Sequence, residues 1–204
     1  MDKPLFGINE NRYDLSGRQK KEARKEILLK ILFWVLSVSV VIGLAYLIVF
    51  YSIEKTSVIN SSMQPTLNKD DSIVINTAAY RLGEPERFDV AIIRIGDAEH
   101  FIYDVKRVYG LPGERIRISG GMIYINGEVL KDEVKVDEME LAGIASEEII
   151  LGKDEYFVLA DDRNNAEDSR YTNYGLIHRE QFVGKAWIRT NEFGFINMMN
   201  KTNE

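Results

Sequence analysis

The distribution of apolar residues divides the chain into two regimes. From Ile31 to Ile53 the sequence ILFWVLSVSVVIGLAYLIVFYSI holds no charged residue. As a helix rising about 1.5 Å per residue it would reach about 34 Å, enough to cross a hydrocarbon core of about 30 Å with some tilt. Beyond it the apolar residues arrive in short runs: SIVIN (72–76), DVAIIRI (89–95), FIYDVKRVYG (101–110), ERIRIS (114–119), MIYING (122–127), EYFVLA (155–160) and KAWIRT (185–190). Each is of strand length, rich in Val, Ile, Tyr and Phe, and bounded by Gly, Asn, Asp or Pro. Gly120-Gly121 and Asn126-Gly127 predict tight hairpin turns. The pattern predicts an all-β outer domain, either two packed antiparallel sheets or a partly closed barrel, preceded by one transmembrane α-helix. Residues 131–150 are acidic and weakly patterned and read as an excursion from the sheets. The apolar FGFINMM (193–199) suits the core and lipid contact equally.

The flanks of the apolar segment set its type and direction. A cleavable export signal would show an apolar stretch of about 7–15 residues closed by small residues. Here the exit is Phe50-Tyr51-Ser52-Ile53-Glu54-Lys55, which predicts an uncleaved anchor, with Phe33 and Trp34 at one interface and Phe50 and Tyr51 at the other. Arg18, Lys20, Lys21, Arg24, Lys25 and Lys30 stand against Glu22 and Glu26 before the segment, and Lys55 is alone just after it. Because positive flanks stay on the cytoplasmic side, three parts follow. Residues 1–30 are a cytoplasmic basic segment, with a mobile start and a helix from near Ser16; 31–53 cross the cell membrane; 54–204 lie outside.

Charge follows the same division. Of 26 basic and 32 acidic residues, 18 and 27 fall in 54–204, so that part carries a net charge of −9. An acidic surface does not suit nucleic acid or anionic lipid headgroups, which need a basic footprint. The chain has no cysteine, which removes disulfides and thiolate chemistry. Its two histidines, His100 and His178, have no companions at metal-ligand spacing, so neither metal nor cofactor is expected.

Candidate chemistry begins at VINSSMQPTL (58–67), just beyond the anchor. By itself this is a turn in which hydroxyls bond their own backbone, with Pro65 holding Gln64 out of helical geometry. Taken with RFDVAII (87–93), YDVKRVYGLPGE (103–114) and ADDRNNAEDSR (160–170), in this order after a single anchor, it resembles the boxes of the bacterial type I signal peptidases of the single-anchor Gram-positive kind. The resemblance covers the anchor and nearly all of the outer domain.

It implies a serine endopeptidase that removes signal peptides from exported preproteins, with small residues at −1 and −3 of the cleaved bond. Ser62 would be the nucleophile and Lys106 the general base. The Ser62 N–H and the Asn60 amide would face the oxyanion, and Val58, Met63, Leu67 and Val105 would line the substrate pockets, with core packing an equal explanation for these four apolar residues. Arg107 and Arg170, with Asp168 and Asp161, would form a structural ion network behind the site. No cofactor is implied; the partners are preproteins and the bilayer.

The demand on Lys106 can be stated without the family. A lysine in water, with a pKa near 10.4, is neutral in only about one copy in a few thousand at pH 7, and a general base must be neutral. Desolvation among apolar neighbours such as Val105 and Val108 would supply the difference, and the alternation of a strand sends Arg107 to the opposite face.

Four positions depart from the family pattern. Phe88 stands where a Gly usually precedes the Asp of the second box. Ala160 and Asp162 replace the Gly and Asn of the last box, and Ala166 replaces a Ser whose hydroxyl would hold the lysine. A substrate-restricted or non-catalytic factor for surface pilus assembly is the alternative, although such a factor would be expected to lose Ser62 or Lys106. SIEK (52–55) has the S-x-x-K spacing of penicillin-recognising enzymes but lacks their companion stretches. The self-cleaving repressors that also use a Ser/Lys dyad carry a DNA-binding domain in place of this anchor.

Overall fold

The computed structural model describes residues 11–97 and 99–198, with side chains from residue 21 onward except those of 23 and 48–52. The expected mobile start and the interfacial rings of Phe50 and Tyr51 lie outside what is described. The chain resolves into two compact units, residues 1–50 and 51–204.

The first unit is helical. Helix α1 runs from Asn11 to Ser52, beginning before Ser16, and contains Arg24–Leu47, one stretch long and apolar enough to cross a membrane, with none of it buried. From Ile31 onward this stretch carries no charged residue, the composition that a membrane-crossing helix requires. The helix ends at Ser52, and Ile53 pairs with Asn76 as the first residue of a strand.

The second unit is built on strands β1 (Ile53–Ser57), β2 (Ser72–Asn76), β3 (Val90–Gly96), β4 (Phe101–Gly110), β5 (Arg115–Ser119), β6 (Met122–Ile125), β7 (Glu128–Val129), β8 (Ile149–Ile150), β9 (Glu155–Leu159), β10 (Ile177–His178), β11 (Phe182–Arg189) and β12 (Gly194–Phe195). A short helix, α2 (Ala78–Leu82), follows β2. All pairings are antiparallel. One sheet runs β1-β2-β11-β3-β4-β9-β10, with β12 on β11, and the other runs β7-β6-β5-β8. The seven expected strands are present within a residue or two, except that β11 starts three residues earlier. The five not expected are the edge strand β1, exposed along its length, and four of two residues each, too short to show a period.

The small sheet is made by its turns. Gly120 and Gly121 have φ of +58° and +76°, Asn126 and Gly127 of +53° and +88°, the left-handed pairs that two-residue hairpins require. Ile116, Ile118, Ile123 and Ile125 of this sheet pack on Tyr109, Phe157 and Leu159 of the large one. Period-2 alternation sorts the two faces of the large sheet: Val90 and Ile92 pack with Met63, Leu67 and Ile75, while Ala91 and Ile93 pack with Tyr80, Tyr156 and Phe182. Of residues 131–150, expected as an excursion from the sheets, Ile149 and Ile150 pair with β5 as β8, and the stretch before them is fastened to the unit. Val134, Met139 and Ala145 are buried, and the Ile144 N–H donates to the Arg170 carbonyl at 2.9 Å. FGFINMM divides by residue: Ile196 enters the core and Phe193 and Met198 stay exposed.

Candidate active site

The segment from Val58 to Asp71 is held at both ends. The Val58 N–H donates to the Asp71 carbonyl and the Asp70 N–H to that of Val58, at 2.9 and 2.8 Å. Between them the chain turns at Ser61–Thr66, pinned by Met63 and Leu67 in the core. This leaves Ser61 exposed and Ser62 only 6% exposed. Strand β4 pairs with β9 only from Arg107 onward, and Ser62 sits where that pairing stops. The Asp162 N–H reaches the Ser62 carbonyl at 3.0 Å, and Ser62 Oγ lies 3.4 Å from the Val105 carbonyl.

At this point β4 delivers Lys106, 1% exposed, with Nζ donating to Ser62 Oγ at 3.2 Å. Ser62 Oγ in turn donates to Asn60 Oδ1 at 2.7 Å, and the Ser62 N–H donates to the same oxygen at 3.2 Å. The site thus brings together Asn60, Ser62 and Lys106, as the sequence predicts. It differs in the sense of the Asn60 contact: the amide shows Ser62 its acceptor, because its Nδ2 donates to Asp104 Oδ1 at 3.0 Å.

Lys106 is desolvated, but not in the expected apolar setting. Asp104 Oδ2 is its ion-pair partner, and its Nζ lies 5.5 Å from the centre of the Tyr174 ring. Tyr174 OH donates to Asp104 Oδ2 at 3.2 Å, and burial, reinforced by Asp104, pushes this phenol far above its ordinary range, so it acts as a donor. Two residues before a lysine on a strand is the same face, so Asp104 was discoverable by position; Tyr174, from a distant turn, was not.

Arg107 lies on the opposite face, as alternation predicts. Its Nε and Nη2 donate to Asp161 Oδ1 and Oδ2 at 2.8 and 2.6 Å, and Nη1 donates to the Phe88 carbonyl. Thr66, to which no role had been given, donates to Asp161 Oδ2 and accepts from Arg107 Nη2, tying the Ser62 turn to this pair. Arg170 pairs with Asp168 at 2.8 and 2.9 Å. The expected network is therefore two separate bidentate pairs. A three-residue cluster, not expected, links Arg163, Asp132 and Tyr109; Asp132 comes from the excursion, whose pattern carried no signal for it.

A groove of about 400 Å³ ends at Ser62's neighbours, with Ile59, Asn60, Phe101, Tyr103, Asp104 and Val105 among its walls. Of the four residues expected to line substrate pockets, Val105 lines this groove. Val58, Met63 and Leu67 are at most 1% exposed and pack together with Ile73, Val90 and Ile92; their apolar character is accounted for by the core.

The family model described as "Signal peptidase, peptidase S26" matches residues 31–190. A "Probable signal peptidase I-2" of Synechocystis is 38% identical over 138 residues, covering 64% of this chain and 59% of the relative. A "Signal peptidase I" of Bacillus amyloliquefaciens is 35% identical, covering 74% and 80%. "Signal peptidase I S" of Bacillus subtilis is 32% identical over 189 residues, covering 85% and 94%.

Proposed function

The chain belongs to the signal peptidases of peptidase family S26, and from that membership we propose that it is a membrane-anchored serine endopeptidase that removes amino-terminal signal peptides from exported preproteins by a Ser62/Lys106 dyad. The observation that carries the reading is the 3.2 Å approach of Lys106 Nζ to Ser62 Oγ, with both residues nearly buried beside a groove.

In this mechanism an extended peptide adds to the edge of β4 before Arg107, where β9 does not pair with it, and presents small side chains at −1 and −3. Lys106, once neutral, takes the Ser62 proton as Oγ attacks the scissile carbonyl. The oxyanion is met by the Ser62 N–H and by the Asn60 amide after it turns its nitrogen inward. The amine leaves with the proton from Lys106, and water, deprotonated by Lys106, releases the acyl group. α1 anchors the enzyme with its amino terminus in the cytoplasm. Enzyme and substrate held in one bilayer meet at a raised effective concentration.

The test is cleavage, by the full chain in detergent, of a preprotein with Ala-x-Ala before the bond. Ser62→Ala and Lys106→Ala should each lower kcat/KM by at least about 10³-fold, with the double variant little worse than either, because a dyad acts as a unit. Persistent activity in Lys106→Ala, or a loss in Ser61→Ala as deep as in Ser62→Ala, would remove the assignment.

A further inference from the structure

Asp104 is the residue of this site that the proposed mechanism leaves unused. Its side chain is almost wholly buried and accepts from four donors: Lys106 Nζ and Tyr174 OH at Oδ2, and Asn60 Nδ2 and the Val105 N–H at Oδ1. Two of those donors, Lys106 and Asn60, belong to the machinery just described, and both are turned toward Asp104. The Lys106 nitrogen acts as a donor in this ion pair, whereas a general base must offer Ser62 a free lone pair. An asparagine whose nitrogen is committed to Asp104 turns its oxygen to Ser62, and an oxygen repels an oxyanion.

We propose that Asp104 is a positioning residue that holds the peptide-free site in a resting state, keeping Lys106 protonated and withholding the Asn60 amide until the carboxylate is displaced or the pH is raised. The inference rests on the dyad reading and adds a regulated entry to it. Asp104 lies in the wall of the groove, so a peptide strand seated against β4 there meets the carboxylate directly, and one displacement would release base and oxyanion donor together.

Among the described residues, Asp104 is the carboxylate in ion-pair contact with Lys106; Asp162, which approaches Ser62 through its N–H, turns its side chain to Asn165. On the facing strand the residue opposite is Ala91, the Val58–Asp71 segment contributes only Ser62 and Asn60, and Tyr174 is a neutral donor. Asp161 is neutralised by Arg107 on the other face. Asp168 is neutralised by Arg170.

Asp104→Asn tests both halves at once. The new amide has one acceptor, which Lys106 and Tyr174 both require, so its NH2 faces Asn60 and the Val105 N–H. Two facing NH2 groups repel, and Asn60 relieves this by turning, which directs its own nitrogen to Ser62. The neutral neighbour also ceases to stabilise the ammonium. A charge partner at contact moves a titration by about 1–3 pH units, so the rising limb of kcat/KM against pH should move at least about one unit lower, giving roughly tenfold more activity at a pH below the wild-type limb.

The profile would be measured on the full chain in detergent with the Ala-x-Ala preprotein, for wild type, Asp104→Asn, Asp104→Glu, Asp104→Ser and Lys106→Ala. The proposal expects the limb to fall in Asp104→Asn, and in Asp104→Ser, which keeps the test open if the amide impairs folding. Asp104→Glu, which retains the charge, should titrate with wild type. A limb unmoved in the neutral variants, moved equally in Asp104→Glu, or replaced by inactivity at every pH in a folded protein would overturn it. Lys106→Ala separates the two levels. If it is inactive while Asp104→Asn titrates like wild type, only the role of Asp104 fails; if it cleaves normally, the dyad reading fails and takes this inference with it.

Discussion

Phe88 adopts a φ of +66°, in the left-handed region where a side chain with a Cβ is strained and glycine is not. A glycine, which the family pattern would place here, adopts this conformation without that strain. The Phe88 carbonyl accepts from Arg107 at 3.0 Å, and the phenyl ring compensates by packing edge-on against Tyr109 at 5.4 Å. The other departures are absorbed with less strain. Asp162 reaches Ser62 through its backbone N–H, which no side-chain change removes. Ala160 is buried, with its N–H on Asp168. Lys106, for which the family pattern would supply a Ser hydroxyl at 166, has Asp104 as its ion-pair partner. A stability comparison isolates the strain at 88. Phe88→Ala and Phe88→Gly both lose the ring, but only glycine relaxes the backbone, which is worth about 1 kcal/mol. Phe88→Gly should therefore be the more stable of the two by about that amount, the reverse of the ordinary order, when both are melted in the same detergent. Equal stability, or an alanine advantage, would mean that this φ carries no strain.

The elements meet at Asp161, where the Ser62 turn, β4 and the end of β9 share one carboxylate. Magnitudes separate its two attachments. Asp161→Asn leaves the buried Arg107 guanidinium without a counter-charge, which costs about 3–5 kcal/mol. Thr66→Val removes a hydroxyl while keeping the shape, for about 1 kcal/mol. Denaturation midpoints should show this order, and Thr66→Val should lower kcat more than its small stability loss explains, because the turn that carries Ser62 is freed from β4. A Thr66→Val enzyme with wild-type kcat would make the link purely structural. At this scale the sequence was informative wherever period or turn chemistry was strong: β2 to β6, β9, β11 and both Gly/Asn turns. The opposite faces of Lys106 and Arg107 followed from alternation alone. What it did not reveal depends on contacts between distant segments. The two-residue strands exist only because a neighbour offers an edge. Asp132 joins Arg163 and Tyr109 across the excursion, and Tyr174 reaches Asp104 from a turn 70 residues away. Val58, Met63 and Leu67 were legible as apolar, but pattern cannot distinguish a pocket wall from a core, and burial decided for the core.

Across the whole β unit, buried phenols join the polar networks on several sides: Tyr80 donates to Asp89 at 3.1 Å, Tyr109 to Asp132 at 2.7 Å and Tyr174 to Asp104. Burial raises all three well above the ordinary tyrosine value of 10.0; Asp89 and Asp104 raise Tyr80 and Tyr174 further, and Arg163 offsets burial only in part at Tyr109. In each case the folded state keeps its proton where the unfolded chain has lost it. Their stabilising contribution is therefore complete below about pH 10 and is lost as pH rises beyond it, since above that point the unfolded state binds fewer protons. Each such phenol steepens the loss by about 1.4 kcal/mol per pH unit, so Tm should fall sharply from pH 10 to 11 after a shallow course from 8 to 10. Tyr80→Phe supplies the control. It keeps the ring against Phe182, and Asp89 retains Lys185 and the Glu86 N–H as partners. The variant is expected to start less stable, by about 1 kcal/mol for the lost hydrogen bond, and then to lose stability above pH 10 more slowly than wild type by one phenol's share. The two curves should converge as pH rises. Parallel curves would show that Tyr80 ionises as readily in the folded protein as in the unfolded chain, and the alkaline limit would then have to come from elsewhere in the molecule.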